Sequence, residues 1–260
     1  KTMQAGSPSL KVDTSLKGII LLTLPISMAK LIPELNYLFN AAFLGHLGGK
    51  ELALAGITGV YYLIFAAIGY GLNNALLSIM SRRAGEDNRN EIFSTLWHGL
   101  LLGLILATVF VSLTWTTVYP IMHWAGIDPN GAKMAGDFLN IRICGLFFLY
   151  SLQMQNAFLI SIQKSKLLVV IALIQALTNL LMDYGLIFGH FGFPNLGFNG
   201  AALASVISEM VGLVTVSLVI MMLKIENNYG IIPRFDVKLP TLKLVFTQGF
   251  PLMSQLAIST

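Results

Sequence analysis

The stretch LLVVIALIQALTNLLMDYGLIF, residues 167–188, decides the fold. It carries one charged side chain, Asp183, and two lysines, Lys164 and Lys166, stand just before it. At about 1.5 Å per residue, a helix of this length crosses a hydrocarbon layer of about 30 Å. Backbone groups in lipid can bond only within their own segment, so the helix is the default conformation. Five other stretches have the same character: Gly18–Leu44, Ala53–Ser81, Phe93–Tyr119, Phe138–Ile162 and Gly200–Leu223. A seventh opens near Thr241, and the chain stops inside it. The whole chain agrees, since 55% of its 260 residues are hydrophobic and only 11% are charged. A soluble domain carries roughly 25% charged residues, so the outer surface of this one faces lipid. The alternating pattern of a membrane barrel is absent. The predicted fold is therefore an all-α polytopic membrane protein. A polar segment at 1–16 precedes a six-helix bundle at 17–223, followed by a basic linker at 224–239 and the start of a seventh helix at 240–260.

The basic residues set the direction. Lys1, Lys11 and Lys17 precede the first span, and Arg82, Arg83 and Arg89 follow the second. Lys164 and Lys166 follow the fourth, and Lys224, Arg234, Lys238 and Lys243 follow the sixth. Only Lys50 and Lys133 lie in loops on the other side. By the positive-inside rule the N-terminus is expected in the cytoplasm, with the protein in the plasma (inner) membrane. The net charge of +4 arises from these flanks, so no nucleic-acid partner is expected. Ser15-Leu16-Lys17 is followed after seven residues by Pro25, and Thr241-Leu242-Lys243 after seven residues by Pro251. This spacing predicts a six-span unit duplicated in one orientation, with the second lobe barely begun at Thr260 and a cavity between the lobes.

Five ionisable side chains lie inside the spans: Lys30, Glu34, Arg142, Asp183 and Glu209. Each costs about 2.5–3.5 kcal/mol on insertion scales, so each needs a reason. Asn179 and Asp183, four residues apart, share one helix face and place an amide beside a carboxyl. Such a group can load and release a proton or offer oxygens to Na⁺; the plain alternative is a hydrogen bond to a neighbouring helix. Glu34 lies 17 residues beyond Lys17 and Asp183 lies 17 beyond Lys166, which puts both at about 25 Å along their helices. Lys30 and Glu209 match in depth in the same way. The expectation is a Lys30–Glu209 ion pair that leaves Glu34 free to join Asp183 in the cavity; mutual neutralisation of Lys30 and Glu34 is the alternative. Arg142, near the outer end of its span, is expected to snorkel.

Pro25 and Pro33 interrupt the first span and are hinge candidates, because each removes a backbone donor. Tyr37, Asn73, Gln153, Asn156, Gln175, Met182 and Ser205 are candidates for lining a substrate cavity. Amides and hydroxyls bond varied groups, and thioethers reshape around varied apolar ones. Interhelical bonding is the competing role for each of them. His46, His98, His123 and His190 share no metal-like spacing, and no metal site is expected. No H-E-x-x-H or G-x-S-x-G motif marks an intramembrane enzyme, and no Walker-type glycine pattern marks direct ATP drive.

Four passages together resemble the N-terminal half of multidrug and toxic compound extrusion (MATE) transporters. They are Asn36 to Gly48, Ser81 to Asp87, Leu159 to Lys166, and Asn179 to Ser208 with its Gly192-Phe193-Pro194-Asn195-Leu196-Gly197 loop. The resemblance implies a twelve-helix, two-lobe antiporter that exports drugs, toxic compounds or metabolites against an inward gradient of H⁺ or Na⁺ as coupling ion, with no cofactor expected. It also implies a small organic substrate, cationic or amphipathic, and a C-lobe in the same chain as partner. One branch of that family has an Asn and an Asp at the spacing of Asn179 and Asp183 as its N-lobe cation site. Asn40 stands where many members carry a first-span Asp, and Ser259 stands where others carry a seventh-span Glu. An amide cannot take up a proton, so Asn40 departs from the family pattern and Glu34 is a possible substitute. Lipid-linked oligosaccharide flippases share the architecture and are the alternative.

Overall fold

The computed structural model describes residues 15–227 and 239–259. Among these residues, eight helices follow in order: α1 (Leu16–Leu47), α2 (Gly49–Gly85), α3 (Arg89–Trp124), α4 (Pro129–Arg142), α5 (Gly145–Ser161), α6 (Lys166–Phe188), α7 (Phe198–Asn227) and α8 (Leu239–Ser259). Among the described residues, five helices are long and apolar enough to cross a membrane: α1, α2, α3, α6 and α7. One further span, the fourth in chain order, is the pair α4 and α5, bent by 41° at the break between them. The uniform fourth span expected over Phe138–Ile162 is thus two helices. Most of the expected segments 1–16 and 224–239 lies outside the described residues.

Helix ends are built locally. Ser15 caps α1 by accepting from the Gly18 amide at 3.1 Å. Asp128 caps α4, accepting from the Gly131 amide at 3.1 Å, with Pro129 in the first turn where a missing N–H costs nothing. Lys50 donates to the same carboxylate at 3.1 Å. The Gly131 N–H first, and Lys50 second, hold the Asp128 carboxyl below its usual range.

Packing follows from the apolar faces. One core joins Leu72, Leu76 and Met80 of α2 with Met154 and Phe158 of α5, Val216 of α7 and Val245 of α8. A second lies toward the other end of the bundle, where Phe138 of α4 stacks on Phe198 of α7 with ring centroids 4.4 Å apart. α8 lies hard against α2: a Cβ at Gly71 would come within 2.5 Å of the Met253 Cα, so only glycine permits that approach. α1 packs along α6, and near its start Leu22, one turn before Pro25, accepts from the Ser165 hydroxyl at 3.2 Å. Helix α1 runs through both Pro25 and Pro33.

Candidate functional site: a carboxylate among amides

The α1–α6 contact carries the site. Asp183 is 1% exposed and Asn179 2% exposed, one turn apart on α6. Facing them from α1 are Asn36 and Asn40, also one turn apart. Asn36 donates to Asn179 Oδ1 at 2.5 Å. Asn40 can turn its amide in either sense. One way, its Nδ2 donates to Asn179 Oδ1 at 3.2 Å. The other way, its nitrogen faces both oxygens of Asp183 and its oxygen faces Asn179. Asn179 Nδ2 is buried without a partner in the first arrangement. An Asn179 amide turned end for end would present that nitrogen to Asn40. Three amides and one carboxyl therefore form a chain whose hydrogen bonds can run in two directions.

Asn36 was not among the candidates singled out from sequence. Its signal was available, since Asn36/Asn40 repeats on α1 the four-residue spacing of Asn179/Asp183 on α6. Glu34 does not join the group. It is an exposed residue on a different face of α1 from the pair that meets α6.

The expected Lys30–Glu209 pair is corrected by the structure. Arg142 holds Glu209 in a two-pronged ion pair, Nη2 to Oε1 at 2.7 Å and Nη1 to Oε2 at 3.0 Å. The Tyr62 hydroxyl donates to Oε1 at 3.2 Å, and the Arg142 guanidinium lies 3.7 Å from the Tyr62 ring centroid. Arg142 does not snorkel, because its side chain is 15% exposed and that of Glu209 5%. Lys30 is exposed and forms no ion pair among the described residues. The reason is rotational. Lys30 and Glu209 match in depth, but Lys30 points away from the face of α1 that packs on the bundle, whereas the break after Arg142 turns the arginine inward. Gly145 opens the space, since a Cβ there would fall on Glu209 Oε2 and Arg142 Nη1.

The cavity candidates separate into groups. Asn73 of α2 donates to the Gln153 carbonyl at 2.5 Å, and Asn156 lies one turn further along α5. The Gln153 side chain is 4% exposed with neither polar atom bonded, and Asn156 Oδ1 is also unpartnered. Buried polar atoms of this kind ordinarily hold water or ligand. Gln175 lies against Gly212 of α7. Met182 and Ser205 are half-buried, and Tyr37 is 60% exposed on α1. Among the described residues no group of three His, Cys, Asp or Glu side chains could hold a metal.

A multi-pass membrane protein, helical in its regular structure throughout the described residues, with a buried carboxylate–amide group between its first and fifth spans is the class these features define. The chain belongs to the MatE family, whose model matches residues 25–185. It is 29% identical over 204 residues to a probable multidrug resistance protein NorM of Rhizobium meliloti (strain 1021), covering 76% of this chain and 42% of that one. The corresponding protein of Thermotoga maritima is 23% identical over 245 residues, covering 94% and 52%. Among solved structures, a MATE protein in its straight conformation superposes with a TM-score of 0.82 at 21% identity, covering 98% of this chain and 54% of that one. A MOP superfamily transporter from Pyrococcus furiosus gives 0.81 at 20% identity, covering 96% and 53%. The chain thus spans about half the length of the relatives it matches.

Proposed function

We propose that this chain is the N-terminal lobe of a cation-coupled exporter of drugs and other toxic organic compounds, with Asp183 as the group that takes up and releases the coupling ion. The observation that carries the reading is a buried carboxylate between two helices, surrounded by amides and without an ion-pair partner among the described residues. The relatives named as multidrug resistance proteins support the export direction.

The amide chain supplies the mechanism. With Asp183 protonated, its O–H donates toward Asn40, and Asn40 and Asn36 both donate to Asn179. With Asp183 ionised, Asn40 turns its nitrogen to the carboxylate and the Asn179 and Asn36 amides reverse behind it. Na⁺ would act in place of the proton by drawing the amide oxygens inward beside the carboxylate. Either ion changes the bonds that tie α1 to α6, on the segment just after Pro33. Bending of α1 at Pro25 and Pro33 then biases the cleft toward one side of the membrane. The other lobe completes the cleft.

Everted membrane vesicles carrying the protein's full reading frame, offered ethidium, provide the test. An imposed ΔpH or ΔNa⁺ is expected to drive uptake, and the effective gradient identifies the ion. Uptake indifferent to both gradients defeats the proposal. The orientation is tested separately in a background with every native cysteine of the full reading frame, Cys144 included, replaced by Ser. A cysteine placed at Gly85 is expected to react with an impermeant maleimide only from the cytoplasmic side, and one at Gly49 only from outside. The opposite pattern reverses the topology.

A further inference from the structure

Helices α3 and α7 both pack on α5 without closing over it, and the gap between them is a groove of about 240 Å³. Its walls are Trp97 and Leu101 of α3 and Leu213 of α7. Its floor is polar, formed by Ser151 and Gln155 of α5 with Ser217 of α7 beside them. Trp97 stands eight residues inside α3 from Arg89, and Ser217 seven residues before Lys224. At about 1.5 Å per residue, the polar floor lies about 10–12 Å in from the basic end of the bundle, within the hydrocarbon. Gln155 is 9% exposed. Its Oε1 accepts from the Ser217 hydroxyl at 3.0 Å, and the Ser151 hydroxyl donates to the Phe147 carbonyl at 2.8 Å. Both hydroxyl hydrogens are thus committed, whereas Gln155 Nε2 donates to no described residue. A donor left unmet where bulk water is absent costs free energy, so the floor calls for an acceptor.

Depth and donor chemistry select the occupant. The headgroup and esters of a phospholipid lie at the basic end, and the part of its chain level with Gln155 has no acceptor. A quinone head dissolves within the hydrocarbon, and its ring carbonyls accept without donating. Pockets that enclose a drug-sized ligand measure roughly 300–1,000 Å³, so this groove has room for a ring head but not for a long tail. We infer that the groove binds membrane-dissolved quinones. The Gln155 amide donates to one ring carbonyl, Trp97 lies against the ring, and the prenyl tail runs out into the lipid. The groove shares no residue with Asp183 and the amides of α1 and α6, and the inference does not depend on the exporter reading.

The test uses 2,3-dimethyl-1,4-naphthoquinone and 2,3-dimethylnaphthalene, which share a ring system and differ in the two carbonyls. Each displaces tritiated menaquinone-4 from the purified full-length protein in phosphatidylcholine nanodiscs, with empty nanodiscs as blank. Wild type is expected to bind menaquinone-4 saturably and to favour the naphthoquinone. In Gln155→Leu the ratio of the two affinities is expected to fall about fivefold, the effect of one hydrogen bond. Partitioning into the lipid is common to both proteins and cancels in that comparison. Leu101→Trp, which fills the groove and leaves the floor intact, is expected to abolish saturable binding, and it carries the test if Gln155→Leu does not fold. Any one of three results overturns the inference: no saturable binding to wild type, an unchanged ratio in folded Gln155→Leu, or undiminished binding in Leu101→Trp.

Discussion

Asp183→Asn is expected to abolish gradient-driven accumulation of substrate while leaving the protein folded. The replacement keeps the shape of the side chain and its ability to bond Asn40. It removes the only state change in the α1–α6 group, because an amide neither gains nor loses a proton and carries no charge for Na⁺. A ligand shifts a conformational equilibrium only by its differential affinity for the two states. With no ion bound differently in either state, the gradient has nothing to act through. Coupling energies between sites typically amount to 5–150-fold, so accumulation in vesicles should fall by about tenfold or more, to the level of empty vesicles. Asn36→Ala is expected to act in the same direction more weakly, since it removes one bond of the chain and leaves the carboxyl. Undiminished accumulation in Asp183→Asn at equal expression would show that coupling lies elsewhere.

The second large effect concerns stability. Arg142→Met and Glu209→Met should each lower the unfolding free energy by about 3–5 kcal/mol, because each leaves an uncompensated charge in a buried setting. The double variant should recover most of that loss, since two apolar side chains of similar volume fill the same space without a charge between them. Gly145→Val should mimic the single variants in part, as its side chain would occupy the space of Glu209 Oε2 and Arg142 Nη1. Overpacking of this kind costs about 1–3 kcal/mol. Thermal unfolding in detergent, followed across the three Met variants and Gly145→Val, decides the matter. Additive losses in the double variant would mean that the pair does not act as a unit. The pair joins the break between α4 and α5 to α7 and, through Tyr62, to α2. Its loss should therefore loosen the bend of the fourth span before the rest of the bundle.

Residues that act along one helix were legible from sequence, and residues that act between helices were not. Asn179 and Asp183 announce themselves because a four-residue spacing on a helix places two side chains together whatever surrounds them. Asn36 and Asn40 obey the same rule, but facing those two requires knowing that α1 lies along α6. Glu209 shows the limit most clearly. Its depth can be counted from Lys224, and so can that of Lys30 from Lys17, yet equal depth leaves the rotation of each helix open. Arg142 could not be matched to Glu209 in advance, because its inward turn depends on a break after residue 142 within an apolar run of unchanged composition.

By itself the sequence determined that the chain is a bundle of membrane-spanning helices, because the length of an apolar run and the need to bond its backbone internally are local properties. It also determined which few ionisable groups lie within the spans. The tertiary structure alone decided their partners: Arg142 with Glu209, Asp183 with the amides of α1, and Lys30 and Glu34 on an open face. Partnership depends on how each helix is turned about its own axis. That rotation is set by close packing against neighbours far away in sequence, which hydropathy and spacing do not encode.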